Sequence, residues 1–358
     1  MLKVLLLFLI CLLYTPAFGF QNADVALFPI WREGKIGFID KTGKVVITPQ
    51  FQELVTTTEG AGFREGLACV RVGILWGFID KSGKFVIKPS FPIVRPSLFE
   101  GGLAVVHAGG TNNYRFIDKT GRKILTRAIP DGPDFRFSEG LLKSSKNGKF
   151  GFVNKAGLFV IQPKFTQAED FTEGLAVVRL NENDSYGYID KTGKFLISPQ
   201  FDVAYSFSEG LALAYFKNIE GGLAYIDKTG KIVVEPQFAD ASDFSEGLAQ
   251  VIFNDGENDK VGFIDKSGKI VIAPQFDPPQ ARDNLRNYKG FSEGLAAVTS
   301  NGNLGYIDKT GKFAIPPQFE DGGDFYGGLA SVSINSKEYY IDKSGKEVAE
   351  RVSFSSSP

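Results

Sequence analysis

The chain has 358 residues, enough for two or three ordinary domains or one long array, and 43% hydrophobic against 23% charged residues is the balance of a folded protein. Forty basic against 41 acidic side chains leave a net charge of -1, so the whole-chain balance gives no electrostatic footprint for nucleic acid or for an anionic membrane surface. Gly 41 and Phe 33 are abundant while His is single, which points to repeated tight turns joining aromatic-rich strands and leaves little for histidine chemistry.

The N-terminus reads as an export signal. Lys3 supplies a positive start, Val4 to Leu13 is an unbroken apolar run, Thr15 and Pro16 break it, and Ala17-Phe18-Gly19 offers small residues for cleavage. Residues 1–19 are therefore expected to be a signal peptide and 20–27 a linker, with the product secreted or periplasmic. No later segment approaches the apolar length of a membrane span. Loss of Cys11 with the leader leaves Cys69 alone, so stability must come from packing and not from a disulfide.

From Phe28 onward the sequence repeats. Ile-Asp-Lys-Thr/Ser-Gly or a near relative occurs nine times, with Asp40, Asp80, Asp118, Asn154, Asp190, Asp227, Asp265, Asp308 and Asp342 spaced by 34 to 43 residues. Pro-x-Phe follows in phase, as at Pro49-Gln50-Phe51 and Pro199-Gln200-Phe201, and then Glu-Gly-Leu-Ala, as at Glu65 to Ala68 and Glu209 to Ala212. Eight times a phenylalanine precedes a Gly-Leu pair with two residues between, from Phe63 to Phe325.

Each block has a physical reading. The aspartate suits the first position of a type I turn, where its carboxylate caps backbone N–H groups, and the glycine suits the left-handed position that ends a three-residue hairpin loop. The flanking runs Gly77-Phe78-Ile79 and Lys84-Phe85-Val86-Ile87 are then paired strands, ended by Pro89. Leu-Ala-x-Val makes a third strand whose Ala/Val face is core, while the variable position (Cys69, Lys143, Leu213, Gln250, Ser331) is expected on a partly solvated face. The fold class is thus all-β: a tandem array of nine short three-stranded antiparallel meanders over 28–350, followed by a polar tail at 351–358. Nine units exceed the usual propeller and no split terminal unit is offered, so an open superhelical, solenoid-like array is preferred and a closed propeller-like toroid is the alternative.

Trp76-Gly77-Phe78-Ile79-Asp80, with Tyr186-Gly187, Phe150-Gly151 and Val261-Gly262 in other copies, resembles the Trp-Gly head of the bacterial WG-repeat (KWG) family. The resemblance covers residues 28 to about 350. It implies an exported or cell-surface binding protein and brings no catalytic residues.

Function is read from that frame. The turn lysines, Lys41, Lys81 and their counterparts, form either a basic row for anionic ligands or, as favoured here, solvated turn positions beside acidic neighbours. The aspartates are turn caps and not a cation ladder. His107 ends a strand before the loop Gly109-Gly110-Thr111-Asn112 and is read as a loop histidine. Departures from the repeat are the better candidates for ligand contact. The third unit loses Pro-x-Phe and carries Arg115, Arg122, Arg127 and Arg136 near His107, and the seventh connection is lengthened with Arg282, Arg286 and Tyr288. The expectation is a non-catalytic scaffold binding a protein or envelope glycan, monomeric, without cofactor or metal and without nucleic acid. A carbohydrate-active enzyme using paired carboxylates and a purely structural spacer are the alternatives.

Overall fold

The structure is a computed structural model that describes residues 26–56, 62–92, 96–107, 114–124, 137–216, 222–253, 259–278, 285 and 290–351. Among these there are nine antiparallel sheets in chain order, numbered 1 to 9 here, and no helix long and apolar enough to cross a membrane. The signal-peptide reading and most of the tail lie outside the described residues.

Sheet 5 shows the full pattern: a short first strand Gln167–Ala168, then Ala176–Arg179, Tyr186–Ile189 and Phe195–Phe201, each antiparallel to the last. Two corrections follow for the expected unit. It has four strands, because the connection after Pro-x-Phe adds a short one. The Leu-Ala-x-Val strand also pairs with the Gly-Phe-Ile strand that follows it, as Leu67 faces Asp80 and Val70 faces Gly77, so it belongs to the next hairpin.

The expected solvated face is absent. Cys69, Val105, Val177, Leu213 and Gln250, all at the variable position, are buried, and only Lys143 and Ser331 are half-buried. The reason is that each sheet is covered on both faces by its neighbours. Ala68 and Val70 pack back onto Phe38 and Phe51 of sheet 1, while Leu67 and Cys69 pack forward onto Phe99 and Val106 of sheet 3.

The same argument decides the architecture. Nine sheets in an open stack have eight interfaces, but nine inter-sheet cores are present, the ninth joining Phe28, Ile30 and Ile39 of sheet 1 to Leu329 and Tyr340 of sheet 9. At the other interfaces the phenylalanine before Gly-Leu meets the aromatic of the preceding sheet edge-on or tilted, as in Phe38–Phe63 with centroids 4.9 Å apart and Tyr306–Phe325 at 4.9 Å. Phe28–Tyr340 repeats this contact at 5.4 Å, and the Tyr340 hydroxyl donates to the Pro29 carbonyl at 3.0 Å. The turn glycine also recurs: Gly83 abuts Ile47 of the sheet before it, and Gly43 abuts Val348 of sheet 9. The open preference gives way to the closed, propeller-like alternative. Closure needs no split unit because it is made by side-chain packing, each aromatic pair contributing on the order of 1 kcal/mol beyond its buried area.

Candidate interaction surface

The ring has two rims of opposite character. One, the turn rim, gathers the Asp-x-x-Gly hairpins between third and fourth strands and the Glu-Gly hairpins that lead into the second. The other, the loop rim, gathers the connections between second and third strands.

On the turn rim the chemistry is inward-looking. Asp40 Oδ1 accepts from the Thr42 N–H at 2.8 Å, the Thr42 hydroxyl at 2.6 Å and the Lys44 N–H at 3.2 Å. The Thr42 hydroxyl, helped by the Thr42 and Lys44 N–H groups, outweighs the raising effect of burial and holds the Asp40 carboxyl below its ordinary range. Gly43, at φ 85°, closes the loop as the sequence predicts.

The glutamate of Glu-Gly-Leu has a role that its place in the repeated block does not reveal. Glu65 and Gly66 both have positive φ (49° and 85°), the two-residue turn that normally takes Asn-Gly. A non-glycine residue there costs roughly 1 kcal/mol. Its carboxylate offsets that cost by holding the next sheet: Glu65 Oε2 accepts the Gly102 N–H at 3.0 Å and pairs with the Lys119 ammonium at 3.1 Å, and Lys119 also donates to the Glu65 carbonyl at 2.9 Å. Glu139, Glu173, Glu209, Glu246 and Glu293 make the same clasp to the following sheet. Burial alone would raise the Glu65 carboxyl, but the Lys119 ammonium and the Gly102 N–H outweigh it and hold it low. The clasped lysines are therefore ion-paired, which is the acidic-neighbour reading of that row. The sequence signal was available: glutamate is an unusual residue to recur before glycine in a tight turn.

Sheet 3 lacks the clasp carboxylate. Gly101 stands in its place, and Lys155 donates to the Gly101 carbonyl alone.

The loop rim varies where the turn rim does not. Sheets 1, 2, 4, 8 and 9 join second to third strand through two residues, such as Gly73-Ile74 and Asn147-Gly148. In sheets 3, 5, 6 and 7 the connection runs through 108–113, 180–185, 216–222 and 254–259.

The structure divides the sequence-predicted site residues. His107 is the last residue of strand Leu103–His107, not a loop residue; it is buried, with its ring edge-on to Tyr114 at 5.2 Å. Arg115 lies beside it, half-buried and opposite Val106, so these two share the loop rim. Arg122 sits at the other end of sheet 3, on the turn rim, where it pairs with Asp118 at 3.1 Å. Arg127, Arg136, Arg282, Arg286 and Tyr288 lie outside the described residues. Among the described residues no group of three or more His, Cys, Asp or Glu side chains is placed to hold a metal ion.

Residues 36–73, 76–110, 150–183, 186–218, 224–256, 262–277 and 305–337 match the profile of the WG containing repeat, more than half of the chain. The chain belongs to the WG-repeat family. No curated protein sequence matches it. Among solved structures it is similar to a eukaryotic initiation factor at 11% identity, with a TM-score of 0.61 and with 92% of this chain and 96% of that one covered. This is a likeness of fold alone. It is also similar to the computationally designed Ika8 protein (12% identity, TM-score 0.41, 92% and 100% covered) and to Porphyromonas gingivalis dipeptidyl peptidase 4 (10%, 0.42, 91% and 59%).

The WG glycine has a specific task in this ring. In sheet 2 a carbon added at Gly77 would lie 2.8 Å from the Ile87 carbonyl oxygen and 2.8 Å from the Pro89 nitrogen, so only glycine lets the fourth strand bulge across it. Three sheets depart from the WG pattern. Arg115, Ala224 and Tyr339 replace the glycine in sheets 3, 6 and 9.

Proposed function

We propose that this WG-repeat chain is a non-catalytic exported scaffold that binds a protein or an envelope glycan, as a monomer, through its loop rim. The reading rests chiefly on the contrast between the rims. The turn rim repeats one solution in most sheets: its aspartates cap their own loops, and its glutamates and first lysines hold neighbouring sheets together. The loop rim carries connections of differing length and composition, and insertions confined to one face of a repeat array are where contact surfaces arise. His107 and Arg115 are the described site residues at that rim, beside the 108–113 connection. Export is supported by the leader-like sequence at 1–19.

The test replaces the 108–113, 180–185, 216–222 and 254–259 connections by the Asn-Gly turn of sheet 4 in the chain from residue 20 onward. Co-sedimentation with purified peptidoglycan and pull-down of envelope proteins are then compared with the parent. Binding that the parent shows and the trimmed ring loses supports the reading. Equal binding by both places the contact off the loop rim and overturns the reading, and no binding by the parent returns the chain to the structural-spacer alternative.

A further inference from the structure

The turn rim carries a second row of cations that the clasps do not use. The residue after the turn glycine is Lys44, Lys84, Lys194, Lys231, Lys269 or Lys312 in sheets 1, 2, 5, 6, 7 and 8, and each is exposed. The backbone places them alike, because each N–H is tied to the carboxylate of its own turn, as Lys44 is to Asp40 Oδ1 at 3.2 Å and Lys231 to Asp227 Oδ1 at 3.1 Å. Two residues further along the chain stands an aliphatic side chain that solvent also reaches: Val46, Val86, Leu196, Val233 and Val271, between 40% and 57% exposed. Residues i and i+2 of an extended chain share a face. The rim therefore offers a cation and an aliphatic group side by side, repeated from sheet to sheet around a closed ring. In sheet 4 the pattern turns wholly apolar, with Leu158 in the lysine's place and Val160 beyond it.

We propose that this rim docks on an anionic lipid surface. An ammonium group meets lipid phosphate while its own stem and the neighbouring Val or Leu sit at the acyl boundary. A circle of equivalent turns presents its cations together to a plane of headgroups, whereas a linear anionic polymer spans only a few of them. The side chains two residues beyond the lysines are aliphatic, and Phe85 and Phe313 directly after Lys84 and Lys312, 37% and 38% exposed, add to the apolar surface. The net charge of -1 is not the deciding figure, since interaction with a surface depends on the charges within a Debye length of it. There each such turn sets two lysines against its own aspartate, and the first lysine also faces a clasp glutamate in sheets 5 to 8. Such docking points the loop rim away from the bilayer and leaves its partners accessible.

The experiment is sedimentation of the chain from residue 20 onward with vesicles of phosphatidylcholine alone or mixed with phosphatidylglycerol, at low and high salt. Binding is expected on the mixed vesicles only, and weakened by salt. Replacing Lys44, Lys84, Lys231 and Lys269 by Gln, none of which enters a clasp, should lower the partition coefficient roughly a hundredfold or more while the circular dichroism spectrum and thermal midpoint hold. Replacing Val46, Val86, Leu196 and Val233 by Ser should lower it roughly tenfold. Failure to bind mixed vesicles, or equal binding by the lysine variant, overturns the proposal. Equal binding by the aliphatic variant together with capture on dextran sulfate overturns it in favour of a soluble polyanion.

Discussion

Sheets 5 and 6 are neighbours with the same Asp-Lys-Thr-Gly turn, the same tilted Tyr–Phe contact and the same clasp, yet their fourth strands differ. In sheet 5 the third strand carries Gly187, and the fourth pairs along its whole length: Tyr186 faces Phe201 and Tyr188 faces Ile197, so two residues on one strand oppose four on the other. In sheet 6 Ala224 stands at the equivalent place, the fourth strand is Ile232–Val234, and the ladder stops at Tyr225 opposite Val234. Phe238 still reaches the core. One methyl group thus separates a bulged, fully paired strand from a truncated one, while the inter-sheet packing survives. Sheet 9 agrees: where Tyr339 replaces the glycine, its fourth strand lies without Pro-x-Phe, with Tyr339 directly opposite Glu350 and no bulge at that pair.

The sharpest test puts a side chain where sheet 5 has none. A carbon added at Gly187 would lie 2.8 Å from the Ile197 carbonyl oxygen and 2.9 Å from the Pro199 nitrogen, both backbone atoms that cannot swing aside. Gly187→Ala should cost about 2 kcal/mol in chemical denaturation and Gly187→Val about 3 kcal/mol or more. Loss of amide-exchange protection confined to 197–201 would show that sheet 5 has taken the form of sheet 6. A loss below about 0.5 kcal/mol would break the comparison, because surface changes away from such contacts fall in that range.

The pattern of what the sequence revealed follows from range of interaction. The Asp-x-x-Gly turns were legible because capping and left-handed glycine are settled within five residues, and the irregular third unit was legible because it loses Pro-x-Phe outright. Which hairpin owns the Leu-Ala-x-Val strand was not, since a tandem repeat reads the same in either phase. The burial of Cys69 and Val177 required knowing that both faces of a sheet are covered. Closure rests on Phe28 meeting Tyr340 across nearly the whole chain, with no local signal. Of the site residues, His107 was legible as a strand end, but its burial against Tyr114 was not, because that depends on the strand partner.

A second test uses what sheets 5 and 6 share. Glu173 clasps sheet 5 to sheet 6 through the Gly210 N–H at 3.0 Å and the Lys228 ammonium at 3.1 Å. Glu173→Gln should cost about 1 kcal/mol, less than a fully buried charged hydrogen bond because the pair is partly exposed. Acid should loosen the aspartate-capped turns and the Glu65, Glu139 and Glu209 junctions together. The carboxyls of Asp40, Asp190, Asp227 and their turn counterparts, and of Glu65, Glu139 and Glu209, are held below their ordinary values in the fold. The unfolded chain therefore takes up protons first as pH falls. The thermal midpoint should be level from neutral down to about pH 5 and drop as pH falls through about 4 and below. A midpoint that rises on acidification would contradict the assignment.

The smallest effect is the most informative about cause. Ala224→Gly removes the methyl that sheet 6 carries and sheet 5 lacks, and sheet 6 retains Pro236-Gln237-Phe238, the segment that elsewhere bulges over the glycine. Stability should change by less than about 1 kcal/mol, since the flexibility glycine adds to the unfolded chain opposes any ladder bonds gained. The readout is amide exchange: protection at the residues between Val234 and Phe238 should rise toward that of 197–201 in sheet 5. If it does not, the truncation belongs to the connection that follows and not to the methyl. Gly187 in sheet 5 would then permit the bulge without being what places it.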